Sequence, residues 1–96
     1  MRILAIEKEA PNLTAADFAP YSKMEAARAW ELYQEGSIRE LYFHRDDHIA
    51  VLMLECADMD AARQVLDTLP LVQAGLISFE LMPLVAYPGF ARLFAE

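Results

Sequence analysis

The chain has 96 residues, of which 56% are hydrophobic, and a net charge of −7. That length suits a single domain, residues 1–96, and one this small cannot hide so much apolar surface alone, so self-association is expected. The sequence pI of 4.7 and eight dispersed Lys and Arg residues argue against nucleic acid and anionic membrane as partners, and no run is long enough to span a bilayer.

Cys56 is the only cysteine, which rules out an intrachain disulfide and fits a reducing cytoplasm. The apolar run at Ile3–Ile6 is too short for a signal peptide. Arg2–Glu9 reads as a strand, with Ile3 and Ala5 on one face and Leu4 and Ile6 on the other, the pattern of a central strand. Thr14 is an N-cap, with Asp17 three residues on to close a capping box. Phe18, Ala26, Ala29, Trp30 and Tyr33 recur at helical spacing, so Thr14–Glu35 is predicted as a helix with Trp30 and Tyr33 in the core. Pro20 is expected to split or kink its first turns, and Gly36 is a natural stop.

Gly36–His44 and His48–Cys56 read as strands joined by the polar turn Arg45-Asp46-Asp47, a hairpin. Asp58 caps a second predicted helix, Asp58–Leu69, which Pro70 ends. Leu71–Gly75 reads as a connector and Leu76–Leu84 as the last strand, with Pro83 marking it as an edge. The apolar segment Tyr87–Phe94 is expected to dock on a neighbouring subunit.

The order βαββαβ with right-handed crossovers predicts an α+β, ferredoxin-like domain. Its antiparallel four-stranded sheet has strand order 4-1-3-2, with both helices on one face. Two helices cover only one face. Ile38, Tyr42, Ala50, Leu52 and Leu54 are expected on the other, which needs a partner sheet and would form a chamber between subunits. A turn centred on Asp46 sets Tyr42 opposite Ala50 and Glu40 opposite Leu52. Glu40, Tyr42, His44 and His48 would then look into the chamber, while Leu41, Phe43, Ile49, Val51 and Met53 lie under the helices.

Chain direction gathers Glu7, His44, His48 and Ser78 at one end of the sheet. Two imidazoles and a carboxylate there suit acid–base work; the competing reading is that the same groups are simply solvated, and two histidines are too few to argue for a metal. Glu25 falls at the border of the apolar stripe. A carboxylate there is either a partly desolvated base with a raised pKa or an (i, i+3) partner of Arg28 in water. Arg39 and Glu55 are expected to pair. No phosphate loop, nucleophile elbow or Cys-x-x-Cys occurs, so no nucleotide cofactor, serine-hydrolase chemistry or thiol redox chemistry is supported.

One set of elements recurs in a known order: Glu25; Leu32 with Glu35-Gly36 at the helix end; Arg39-x-Leu41; His48-x-Ala50; Leu69-Pro70-Leu71; a late strand with Glu80; and a closing segment with Pro88. In these the chain resembles the muconolactone isomerase family of dimeric α/β-barrel proteins. The turn before His48 is one residue longer here, and Glu40 and Tyr42 stand where that family has His and Trp. The resemblance implies protomers paired sheet to sheet as a homodimer, with further assembly of dimers into a decameric ring as the larger alternative. It also implies a reaction that moves a double bond in a small lactone by proton abstraction and return, without metal or organic cofactor. Glu25 and His48 become the catalytic positions. Tyr42, Glu40, His44 and Glu7 become the substrate-binding ones. The leading expectation is therefore an isomerase acting on a small lactone or carboxylated substrate. A non-catalytic small-molecule-binding or assembly module and a cofactor-free monooxygenase are the alternatives, since one fold hosts many functions.

Overall fold

The computed structural model describes residues 1–95. The strands are β1 (Arg2–Glu9), β2 (Ile38–Phe43), β3 (Ala50–Glu55) and β4 (Ile77–Leu84), and the helices are α1 (Ala15–Phe18), α2 (Ser22–Glu35), α3 (Met59–Leu66) and α4 (Pro70–Gln73). All strand pairs are antiparallel and the order is β2-β3-β1-β4, the ferredoxin-like arrangement expected from the sequence. No helix among the described residues is long and apolar enough to cross a membrane.

The alternation of β1 places Ile3, Ala5 and Glu7 against the helices, all buried. The core under the helices adds Ile38 from β2, Leu52 and Leu54 from β3, Leu32 from α2, Ala62 and Leu66 from α3, and Leu69. Phe79 and Leu81 of β4 pack on its edge.

The long first helix breaks where Pro20 sits. A 3-10 turn at Ala19–Tyr21 separates α1 from α2, because proline cannot donate the hydrogen bond that would carry an α-helix through. Thr14 N–H donates to Asp17 Oδ2 at 2.7 Å. Gly36 closes α2 at φ +92°, a left-handed conformation that glycine adopts without a Cβ clash. Pro70 does not simply end the second helix. It is the first residue of α4, where its missing N–H costs nothing and its fixed φ is already helical.

The hairpin register differs from expectation by one residue. Tyr42 pairs with Val51, Phe43 with Ala50 and Glu40 with Met53. His44 N–H bonds Ile49 O at 2.8 Å, which leaves four residues in the turn, not three. His44 Nδ1 accepts the N–H groups of Asp46 and Asp47 at 3.1 and 3.0 Å, so an imidazole templates that turn. A one-residue slip turns over a whole strand. Ala50, Leu52 and Leu54 therefore face the helices, and Val51 and Met53 face away beside Leu4 and Ile6. Ile38 also lies in the core rather than on the open face. Leu41 and Phe43 keep their expected side. An irregularity between Ile38 and Glu40 takes up Arg39.

Two further expectations are overturned. Trp30 and Tyr33 are exposed and stack on each other on the outside of α2 with ring centroids 5.9 Å apart. Arg39 Nε donates to Gly36 O at 2.9 Å, while Glu55 pairs with the Met1 ammonium at 2.8 Å.

Candidate functional site

A cleft of about 890 Å³ opens between the sheet and the α1–α2 segment, within the range of small-molecule sites. It lies on the helix-covered face, within one protomer, not between two sheets. Its cause can be read in α2. Near its C-terminus Leu32 is fully buried and pins the helix to Ile38 and the core. The turns before it present Ser22, Ala26 and Ala29, which line the cleft. Such short side chains cannot fill the distance from helix axis to sheet.

Two carboxylates reach this space from opposite walls. Glu7, on the inner face of β1, is only 6% exposed, and its Oε1 accepts the Ala50 N–H at 2.9 Å. Burial pushes its pKa above the ordinary 4.5; the Ala50 bond opposes this and the nearby Glu9 adds to it. Glu25 enters from α2, and its Oε1 accepts the Leu71 N–H at 2.9 Å. Leu71 is the second residue of α4, whose N-cap Leu69 has no side-chain acceptor to offer. Glu25 thus caps α4 across the fold, satisfying a donor the helix cannot satisfy itself. Desolvation raises the Glu25 pKa, the Leu71 bond pulls it back, and the charge of Glu7 raises it further. Arg28 does not pair with Glu25. It bonds Thr68 at 2.9 Å and Glu31 at 3.3 Å.

His48 stands at the mouth. Its Nδ1 lies 3.2 Å from Glu9 Oε1, and its ring is flanked by Phe43 at 5.0 Å and Phe18 at 5.9 Å. With the Nδ1 proton donated to Glu9, Nε2 carries the free lone pair. Glu7, Glu9 and His48 offer ligand atoms within 4.8 Å of one another. They are the residues that could hold a divalent cation, although each of the three already has a partner within the protein. Among the described residues, the cleft lining contains three glutamates and His48 but no Lys or Arg.

The structure thus brings Glu7, Glu25 and His48 to one cleft. Tyr42 borders it, but its hydroxyl donates to Glu40 Oε2 at 2.7 Å, and that bond raises the phenol pKa. Glu40 lies on the outer face with Met53, and His44 is engaged in the hairpin turn. Neither lines the cleft. Sequence reasoning missed Glu9, although it shares the inner parity of Ile3, Ala5 and Glu7. It also missed Phe18 and Phe43 as the flanks of His48.

No family model matches the chain, and no curated protein matches it by sequence. Solved structures do match. Muconolactone isomerase aligns at a TM-score of 0.76 and 20% identity over 92% of this chain and 92% of that one. The 5-chloro-2-hydroxyhydroquinone dehydrochlorinase of Burkholderia phenoliruptrix AC1100, solved in complex with 2,5-dihydroxybenzoquinone, aligns at 0.73 and 15% identity, over 93% of this chain and 98% of that one. At these identities the likeness is one of fold, and it is the fold that the resemblance in the sequence implied.

Proposed function

We propose that the protein is a small-molecule enzyme that moves a proton within its substrate, using its own carboxylates and no metal or organic cofactor. The observation that carries this reading is the pair of desolvated carboxylates, Glu7 and Glu25, in one apolar cleft. A carboxylate with a raised pKa is a stronger base than a solvated one, and it holds a proton closer to neutral pH. Glu25 Oε1 is committed to Leu71, which leaves Oε2 for the substrate. In the proposed reaction Glu25 takes a proton from the ring carbon at the far end of a double bond conjugated with the ring carbonyl. The C–H electron pair moves into a dienolate, and a proton returns at the carbon next to the carbonyl. The double bond shifts and no electrons are lost. Glu25 returns that proton directly, or His48 Nε2 first takes it from Glu25 on its lone pair and then delivers it; both groups line the cleft. Glu7 keeps the field in the cleft negative and so favours the protonated form of Glu25.

The substrate class follows from the lining. A ring compound of lactone size fits the apolar walls. A free carboxylate on it would meet three glutamates and, within one protomer, no cation. The dehydrochlorinase with the same fold is a hydroxyquinone-binding protein, and a neutral hydroxylated ring is the second substrate class proposed here. The open sheet face, with Leu4, Ile6, Val51 and Met53 half-buried, is proposed to pair with the same face of a second copy. That pairing gives a homodimer, from which a larger ring such as a decamer could form.

The test is a ligand-induced melting shift with muconolactone and with 2,5-dihydroxybenzoquinone, in wild type and His48→Ala, followed by assay of whichever compound binds. A shift with turnover that falls in His48→Ala supports the reading. A shift without turnover turns the protein into a binding module, and oxygen consumption in place of isomerisation makes it an oxygenase.

A further inference from the structure

The segment after β4 has an internal structure of its own. Residues 85–88 lead into a 3-10 turn at Gly89–Leu93. Tyr87 and Phe90 meet edge to face with centroids 5.1 Å apart, and the Tyr87 ring lies over Gly89 so closely that any Cβ there would overlap it. This arm therefore has a defined shape, yet it contributes nothing to the core. Val85 is 91% exposed, Leu93 77% and Phe94 84%. A folded segment that leaves its large apolar side chains in water is incomplete as a monomer.

Topology decides where the arm can go. Leu84 is paired with Arg2, whereas Glu9 is paired with Ile77 at the other end of the sheet. The arm thus leaves from the end opposite the cleft mouth, a distance of roughly 25 Å along an eight-residue strand. The molecule is 60 Å long and its radius of gyration is 15.8 Å, against about 12–13 Å for a compact chain of this length. With its turn intact, the arm projects away from its own cleft.

Charge selects the receptor. The cleft mouth is apolar and acidic, and the only charged side chain in residues 85–95 is Arg92. We propose that the arm of one copy docks across the cleft mouth of a second copy, seating Leu93 and Phe94 against Leu13 and Phe18 and setting the partner's Arg92 beside Glu9 and Glu7. The site is completed by the partner. The arm closes the cleft to water and supplies the one cation that the cleft lacks, which a carboxylated substrate would need. Association is measured without turnover, so its failure is distinguishable from failure of the proton-transfer reading.

Two measurements on the full chain test this. In a Cys56→Ser background, Leu93→Cys is combined with Leu13→Cys, or with Gln34→Cys on the exposed side of α2. Copper–phenanthroline oxidation is then read on a non-reducing gel. Covalent dimers or higher ladders with Leu13→Cys and not with Gln34→Cys are expected. Monomer alone, or equal cross-linking through Gln34→Cys, overturns the proposal. In sedimentation, Arg92→Glu should weaken association about tenfold, and Glu9→Arg in the same chain should restore it. An unchanged Arg92→Glu variant, or one that Glu9→Arg fails to rescue, removes the arm from the cleft. A wild type that stays monomeric at micromolar concentration overturns the proposal outright.

Discussion

Replacing Glu25 in two ways separates the structural and chemical parts of its carboxylate. Glu25→Gln keeps an oxygen to accept the Leu71 N–H at the position where Oε1 now sits at 2.9 Å. It also removes a charge that burial and Glu7 both disfavour. Glu25→Ala removes the charge and the acceptor together, leaving an N-terminal donor of α4 without a partner. A part-buried orphan N–H costs about 1–3 kcal/mol, so the alanine variant should be less stable than the glutamine variant by that amount. For a domain of this size the gap corresponds to about 4–8 °C in Tm per kcal/mol. Against wild type at pH 7, the glutamine variant should be equal or more stable, since a desolvated charge is gone. The assay is urea unfolding followed by far-ultraviolet circular dichroism at one fixed protomer concentration, because association would shift the midpoint. Equal stability of the two variants would refute the capping role of Glu25. A glutamine variant well below wild type would refute the claim that its charge is held at a cost.

Other outcomes follow from the same geometry. The folded pKa values of Glu7 and Glu25 lie above the ordinary 4.5, so the folded state holds more protons than the unfolded state just above that pH. Their contribution is present below about pH 4.5 and is lost as the pH rises through the raised values. Denaturant midpoints measured across that window should fall less in Glu7→Gln than in wild type. Leu32→Ala, at the pin between α2 and the core, should cost about 2–5 kcal/mol in the same unfolding experiment. Trp30→Ala on the exposed side should stay within about 0.5 kcal/mol. Ala29→Phe should fill the cleft, abolishing ligand-induced melting shifts while the circular dichroism spectrum keeps its native shape.

Strand order and helix placement were legible in the sequence because β1 is apolar on both faces and the helix pattern falls between strands at βαβ spacing. The hairpin register was not. No Gly or Asn marks the turn, and its length is set by His44 Nδ1 bonding two backbone N–H groups, a contact without a periodic signature. That single slip turned β3 over, so Ala50, Leu52 and Leu54 lie under the helices while Val51 and Met53 lie on the open face. The face of α2 was misread for a related reason. Trp30 and Tyr33 carry the most apolar area, but the inward face is the row Glu25, Ala29 and Leu32, which is small where the cleft lies. Helix α4 was hidden because its cap comes from Glu25, 46 residues earlier in the chain, and no local pattern can show that. Glu25 and His48 were singled out by resemblance and periodicity, and both line the cleft; Glu40 lies on the open face where it was expected, on the side of the sheet away from the cleft, and His44 is held in the hairpin turn.

Glu25 is the atom-level centre of the proposed chemistry, and one kinetic comparison tests it most directly. Purified wild type and Glu25→Gln, both shown to be folded, are incubated with muconolactone, and double-bond migration is followed by ultraviolet absorbance against a buffer control. A general base of this kind is worth about 10²–10⁴ in rate. Proton transfer by Glu25 predicts turnover in wild type and a loss of that order in Glu25→Gln. Turnover in both at the same rate would contradict the assignment of the base, and no turnover in wild type would contradict lactone isomerisation itself.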